Sequence, residues 1–178
     1  MSIQPCRMVF HPDPILRTKA QPVEAFDDDL RSLAEEMIRL RKAHSGVGLA
    51  APQVGHSLRM FICNTEEPGE EESIFVNPEI LEASGPLEWE EEGCLSLPDI
   101  RGSVRRPIFV RIRAFDLDGK SFELESDELH ARVWLHEFDH LEGTLILDRM
   151  RTLDRLSNRR ALKQLESMYA PGGGHSPR

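Results

Sequence analysis

Residues 127–143 read DELHARVWLHEFDHLEG, and the spacing within that stretch says more about the chain than any other segment. Ser126 or Asp127 suits a helix start and Gly143 a stop, so a helix is predicted over about 126–141. Leu129, Val133, His136 and His140 then fall at i, i+4, i+7 and i+11 on one face. The two histidines continue an apolar stripe, and at a separation of four both imidazoles can reach one metal ion. A pair of core histidines that merely accept hydrogen bonds is the plainer alternative. Against it stands Glu137, which occupies the HExxH position of a general base for a metal-held water.

Outward from this helix, Ile108, Val110, Ile112 and Ala114 alternate with Phe109, Arg111 and Arg113, the pattern of a half-buried strand. Asp116-Leu117-Asp118-Gly119 is a turn, and Phe122 and Leu124 continue the hairpin beyond it. Residues 58–63 and 73–76 read as two further short strands, with the acidic run from Glu66 to Glu72 as a loop between them. Asp27 to Asp29 start an N-terminal helix on which Leu30, Leu33, Ala34, Met37 and Ile38 recur at helical spacing, with Gly46 near its stop. A third amphipathic helix is predicted over about 151–168. Strands clustered in the middle and flanked by helices predict an α+β fold.

At 178 residues, with 39% apolar and 30% charged residues, the chain reads as one globular domain over 1–170 and a disordered tail, PGGGHSPR, over 171–178. No apolar run approaches the roughly 18 residues of a membrane helix. The opening MSIQPCRMVFHPDP resembles neither a signal nor a transit peptide, so the cytoplasm is the expected compartment. Cys6, Cys63 and Cys94 then belong to a reducing environment. Of the net charge of −9, six basic and two acidic residues leave +4 on residues 151–178 and so −13 on the first 150. An acidic body disfavours nonspecific nucleic-acid binding, although the basic segment can still touch a polyanion.

Two imidazoles need a third ligand. A metzincin would carry a histidine at the position of Ile146, and the downstream carboxylate Glu166 sits in a basic helix without a ligand motif. Cys94, in Glu92-Gly93-Cys94-Leu95-Ser96, is the better candidate, since a thiolate is a strong ligand and Gly93 lets backbone approach closely. Its plain alternative is a buried inert thiol, the reading kept for Cys63, while Cys6 has no assignment. A third segment, Gly46-Val47-Gly48-Leu49-Ala50-Ala51-Pro52-Gln53, forms a flat backbone surface whose one polar side chain, Gln53, can donate to a developing oxyanion. Two rival functions share parts of this pattern. A peptidase acting on internal bonds shares HExxH, but a thiolate ligand is unexpected there. A metal-stabilised module without activity needs a fourth protein ligand, for which the sequence offers no good choice.

Taken together, Gly46 to Gln53, Glu92 to Ser96 and His136 to His140 resemble the three ordered motifs of the peptide deformylase family, GxGLAAxQ, EGCxS and HExDH. Phe10 to Arg17 resembles the family's N-terminal segment, so the likeness spans about residues 8–150. The resemblance implies antiparallel β-sheets packed around a central helix carrying HExDH, with flanking N- and C-terminal helices. It implies removal of the formyl group from N-formylmethionine of new polypeptides, releasing formate. It maps the metal ligands onto Cys94, His136 and His140, with an open position for water whose proton Glu137 takes and passes to the departing amine. The oxyanion falls to the metal, the Gln53 side chain and the Leu95 N–H, and the peptide lies as an added strand along Val47 and Gly48. The methionine pocket draws on Leu129, Val133 and His136. Glu92 and Asp139 are the expected acceptors behind the histidines, with Arg101 or Arg106 pairing one of them. The resemblance further implies one divalent ion, Fe(II) in the cell with Zn(II), Ni(II) or Co(II) able to substitute, in a monomer. One departure is the charge in Glu88-Trp89-Glu90-Glu91, where the family often carries an apolar residue lining the groove. The basic residues Arg151, Arg155, Arg159, Arg160 and Lys163 suit contact with the ribosome. The alternative is a helix packed through Leu153, Leu156, Leu165 and Met168 with a solvated basic face.

Overall fold

A computed structural model describes residues 5–65 and 69–169, so the expected tail at 171–178 lies outside the described residues. Five antiparallel strands form one sheet in the order of the chain: β1 (Gly48–Ala50), β2 (Met60–Cys63), β3 (Ser73–Cys94), β4 (Leu97–Phe115) and β5 (Ser121–Ser126). Helix α1 (Asp28–Ala43) precedes them, and α2 (Leu129–Leu141), α3 (Ile146–Arg149), α4 (Thr152–Ser157) and α5 (Arg159–Tyr169) follow. The fold is α+β, as expected, with one sheet where several were anticipated.

Alternation along β2 decides how the helices sit. Met60 and Ile62 pack with Leu30, Leu33 and Met37 of α1, while Phe61 and Cys63 pack with Val133 and Trp134 of α2. Successive strand residues point to opposite faces, so four apolar residues in a row give a strand buried on both sides. Phe61 stacks on Phe75 of β3 with ring centroids 4.5 Å apart. A third cluster joins Leu97, Ile100 and Val104 of β4 to Leu145, Leu147 and Leu165 near the C-terminus.

The expected hairpin around Asp116 to Gly119 is present, with Ile112 opposite Leu124. The strand read over 73–76 instead runs on to Cys94, and β4 begins at Leu97 rather than near Ile108. Asn77-Pro78 and Gly85-Pro86 are strand-breaking pairs, and they sit where the β3–β4 register shifts, between Val76 and Glu79 and between Ser84 and Leu87. Asn77 and Gly85 adopt positive φ of 48° and 84° there. The bulges absorb residues that a regular ladder rejects, so the two strands continue.

Helix α2 starts at Leu129 and ends before Gly143, whose φ of 71° suits a residue without a Cβ. The long C-terminal helix is broken into α4 and α5 at Asn158, whose side-chain amide donates to the carbonyls of Arg101 (2.6 Å) and Asp154 (2.8 Å). Of the four residues named for the alternative, a packed helix, Leu165 is buried, whereas Leu153, Leu156 and Met168 are exposed. No described helix is long and apolar enough to cross a membrane. Because Phe61 is fully enclosed between two layers, Phe61→Ala is expected to cost about 3–5 kcal/mol in urea unfolding.

Candidate active site

At the end of the long hairpin, Cys94 of β3 pairs directly with Leu97 of β4. That tight return sets the thiol against α2, where the His136 and His140 rings stand one turn apart with centroids separated by 5.0 Å. One ligand atom from each of Cys94, His136 and His140 lies within 4.8 Å of the others, and Cys94 Sγ is 3.4 Å from His140 Nε2. A thiolate with two imidazoles is a donor set that suits Fe(II) or Zn(II), and three ligands leave a coordination position open. Glu166, the other carboxylate weighed for the third place, is instead 3.3 Å from His11 Nε2.

Behind the rings lies a buried chain of charges. Glu92 accepts from His136 Nδ1 at 3.0 Å, which leaves the Nε2 lone pair for a ligand. Arg106 donates to both Glu92 oxygens, at 2.6 and 2.9 Å, and to Asp139 at 2.9 Å. Arg149 reaches the second Asp139 oxygen at 2.6 Å. Burial alone would raise the Glu92 carboxyl, but hydrogen bonds from Arg106 and His136 outweigh it and hold the group well below its usual range. Arg101, the alternative partner, is exposed and lies 3.7 Å from Glu91.

Glu137 stands apart from this network. Its carboxylate is buried, Oε2 has no hydrogen-bond partner, and burial pushes its pKa up to about 7 against the pull of His136 and Arg106. A buried acceptor without a donor fits a site where something with a proton is held. The backbone opposite must be glycine, since a Cβ on Gly48 would stand 2.3 Å from Glu137 Oε1. Gln53 is oriented from below: Oε1 accepts from the Ala50 N–H at 2.9 Å, which turns Nε2 toward Ser96 Oγ (3.2 Å) and Cys94 Sγ (3.5 Å).

Cys94, His136, Glu137 and Gln53 open into one cavity of about 680 Å³, whose walls include Val47, Gly48, Leu95, Leu129 and Val133. Leu129 is half exposed at the rim and His136 partly exposed, so the stripe read on α2 is buried at Val133 and His140. Of the segment flagged before the cysteine motif, Glu90 meets Arg132 Nε at 3.1 Å and Trp89 lies under the Arg151 guanidinium at 4.3 Å, while Glu91 lines the cavity. Burial drives the Cys63 thiol up to about 12, as an inert core cysteine requires. Sequence reading missed Arg132, which donates to Glu92 at 2.8 Å and to the carbonyls of Val104 and Glu88, both at 3.1 Å. Its place four residues before His136, on the same helical face, was the available signal. Arg149 was also missed, and nothing local marks it, while Ser96 was named only as the end of the cysteine motif and given no role.

Residues 5–156 match the family model for polypeptide deformylase. Similar proteins include a peptide deformylase of Brucella suis, 42% identical over 96% of this chain and 97% of that one. Another, from Acidobacterium capsulatum, is 43% identical over 87% and 91% of the two chains. Among solved structures, a plant peptide deformylase superposes with a TM-score of 0.91 at 40% identity, covering 100% of this chain and 98% of that one. The enzyme from Plasmodium falciparum superposes with a TM-score of 0.89 at 38% identity, over 96% and 100%.

Arg106→Met leaves two buried carboxylates short of their shared partner. It is expected to cost about 3–5 kcal/mol in denaturant unfolding, and to lower the metal bound per chain by loosening His136.

Proposed function

This chain belongs to the polypeptide deformylase family, and on that premise we propose that it removes the formyl group from N-formylmethionine at the start of new polypeptides, releasing formate. The observation that carries the reading is the convergence of Cys94, His136 and His140 beside a buried Glu137, whose Oε2 has no hydrogen-bond partner, in an open cavity. Cys94, His136 and His140 would hold one divalent ion, Fe(II) in the cell, with Zn(II), Ni(II) or Co(II) able to replace it. Such an ion supplies a Lewis acid and brings the pKa of water toward neutrality.

The remaining work falls to side chains and backbone. Glu137 takes the proton of the attacking water on its carboxylate and delivers it to the amine nitrogen as the formyl C–N bond breaks. A pKa near 7 suits a group that must both accept and return a proton at neutral pH. Gln53 Nε2 and the Leu95 N–H donate to the oxygen that becomes negative as the formyl carbon turns tetrahedral. The peptide backbone lies along Val47 and Gly48, next to β1, an edge strand that among the described residues pairs with β2 alone. Val133 and His136 form the methionine pocket, with Leu129 at its lip. Glu92 and Arg106 hold His136 in the tautomer that binds metal, and Asp139 holds Arg106. In this reading α2 is the central helix of the catalytic domain.

We also infer contact with ribosomal RNA through Arg151, Arg155, Arg159, Arg160 and Lys163, by a monomer in the reducing cytoplasm. The exposure of these basic side chains supports a contact surface there.

With anaerobically purified protein, a formyl-Met peptide should yield formate, and Glu137→Ala should lower kcat by at least ~10³-fold. Internal cleavage without formate would mean a peptidase and would overturn the proposal. Charge reversal at Arg159 and Arg160 should abolish co-sedimentation with ribosomes at low salt; unchanged binding would remove the ribosomal contact.

A further inference from the structure

The turn that leads from α1 into β1 is held by a buried cation. Its residues, His44 to Val47, form one wall of the cavity together with Gly48. Arg41, in the last turn of α1, is 1% exposed. Its Nη1 donates to the Gly46 carbonyl at 2.5 Å and its Nη2 to Glu72 Oε1 at 2.6 Å. Glu72 immediately precedes β3 and also meets Lys42 Nζ at 3.3 Å. One guanidinium thus joins α1, the turn before β1 and the start of β3.

Packing alone does not ask for charge at this position. Enclosing a guanidinium with a carboxylate costs desolvation, and apolar side chains of similar volume are often at least as stable there. What an apolar side chain cannot do is hold a carbonyl. The Gly46 carbonyl and the Val47 N–H share one trans peptide plane and point in opposite directions. Tying the carbonyl to Arg41 therefore turns the Val47 N–H away from the guanidinium. Two backbone bonds flank the clamp: Gly46 N–H donates to the Arg41 carbonyl at 3.1 Å, and Asn64 N–H donates to the Val47 carbonyl at 3.0 Å. Between them Ser45 carries a φ of 52°, which a residue with a side chain adopts at a cost, so local preference alone does not hold this turn.

From this geometry we propose that Arg41 is a positioning residue: braced by Glu72, it fixes the Gly46–Val47 peptide plane so that the edge entering β1 meets the backbone of the formyl-Met peptide. The inference rests on the deformylase reading above and gives the end of α1 a part in binding substrate.

Arg41→Met removes the clamp. The double change Arg41→Met with Glu72→Gln also removes the carboxylate that would otherwise stay buried without its guanidinium. Urea unfolding identifies the variants that are folded. With a formyl-Met tripeptide, the double variant should show KM raised about tenfold, the scale of one hydrogen bond to a charged group, and kcat within about twofold of wild type. Glu72→Gln alone keeps the bond to Gly46 and should leave KM within about twofold. A folded double variant with wild-type KM would overturn the proposal. So would a Glu72→Gln protein whose KM rises as far, because the segment before β3 then matters and the Gly46 bond does not. Calorimetry in a Glu137→Ala background, where the peptide is not turned over, separates the clamp from its premise. Adding the double change there should weaken peptide binding about tenfold. That weakening, in a protein whose wild type releases no formate, would sink the reaction and keep the clamp. Equal binding, with formate released by the wild type, would sink the clamp and keep the reaction.

Discussion

Arg106 lies between two carboxylates that come from different parts of the chain, Glu92 near the end of β3 and Asp139 on α2. All three are buried, and an unpaired charge at that depth would be far costlier than the pairs they form. The hairpin and the helix can therefore meet in essentially one register, the one that delivers both carboxylates to a single guanidinium. Everything functional in front of that contact inherits its geometry. Glu92 turns His136, the end of β3 presents Cys94, and α2 carries His140 and Glu137. Buried ion pairs often contribute little net stability, so orientation is the better account of why charge stands here instead of Leu or Met.

The opposite wall is built on closeness of backbone. Gly48 lies where a methyl group would collide with the Glu137 carboxylate, and a Cβ on Gly46 would come within 2.7 Å of Leu95. The GxG pair thus does steric work: it lets β1 approach α2 closely enough to pinch the cavity beside the carboxylate. Charge fixes one side of the site and the absence of side chains fixes the other. Between them remain Gln53, held by the Ala50 N–H, and Glu137, whose Oε2 has no hydrogen-bond partner.

Local patterns were legible where neighbours in sequence are also neighbours in space. The period of α1 named Leu30, Leu33, Ala34, Met37 and Ile38, the first four buried and Ile38 partly so, because a helix repeats its face every few residues. The same logic placed His136 and His140 on α2, although it overestimated the burial of Leu129. It failed on the long hairpin, since Asn77-Pro78 and Gly85-Pro86 look like strand ends until a partner strand shows them as bulges. It failed again on the C-terminal helix, where Asn158 breaks the run to bond a carbonyl of β4. Choosing between Arg101 and Arg106 was likewise beyond it, because strand alternation sends one outward and the other inward and the register was not yet known.

By itself, then, the sequence determined the α+β class, the helix that carries HEFDH, the triad of Cys94, His136 and His140 as candidate ligands, and Glu137 beside them. Those features are written in spacing and residue chemistry, which act over a few residues or through donor types that little else explains. Only the tertiary structure decided that Arg106 and Arg132 stand behind Glu92, that Gln53 faces the cysteine, and that Phe10 and Tyr169 share one cavity with the ligands. Each of these joins residues tens to more than a hundred positions apart. Such contacts depend on how the sheet and helices pack as a whole, and no local period encodes that.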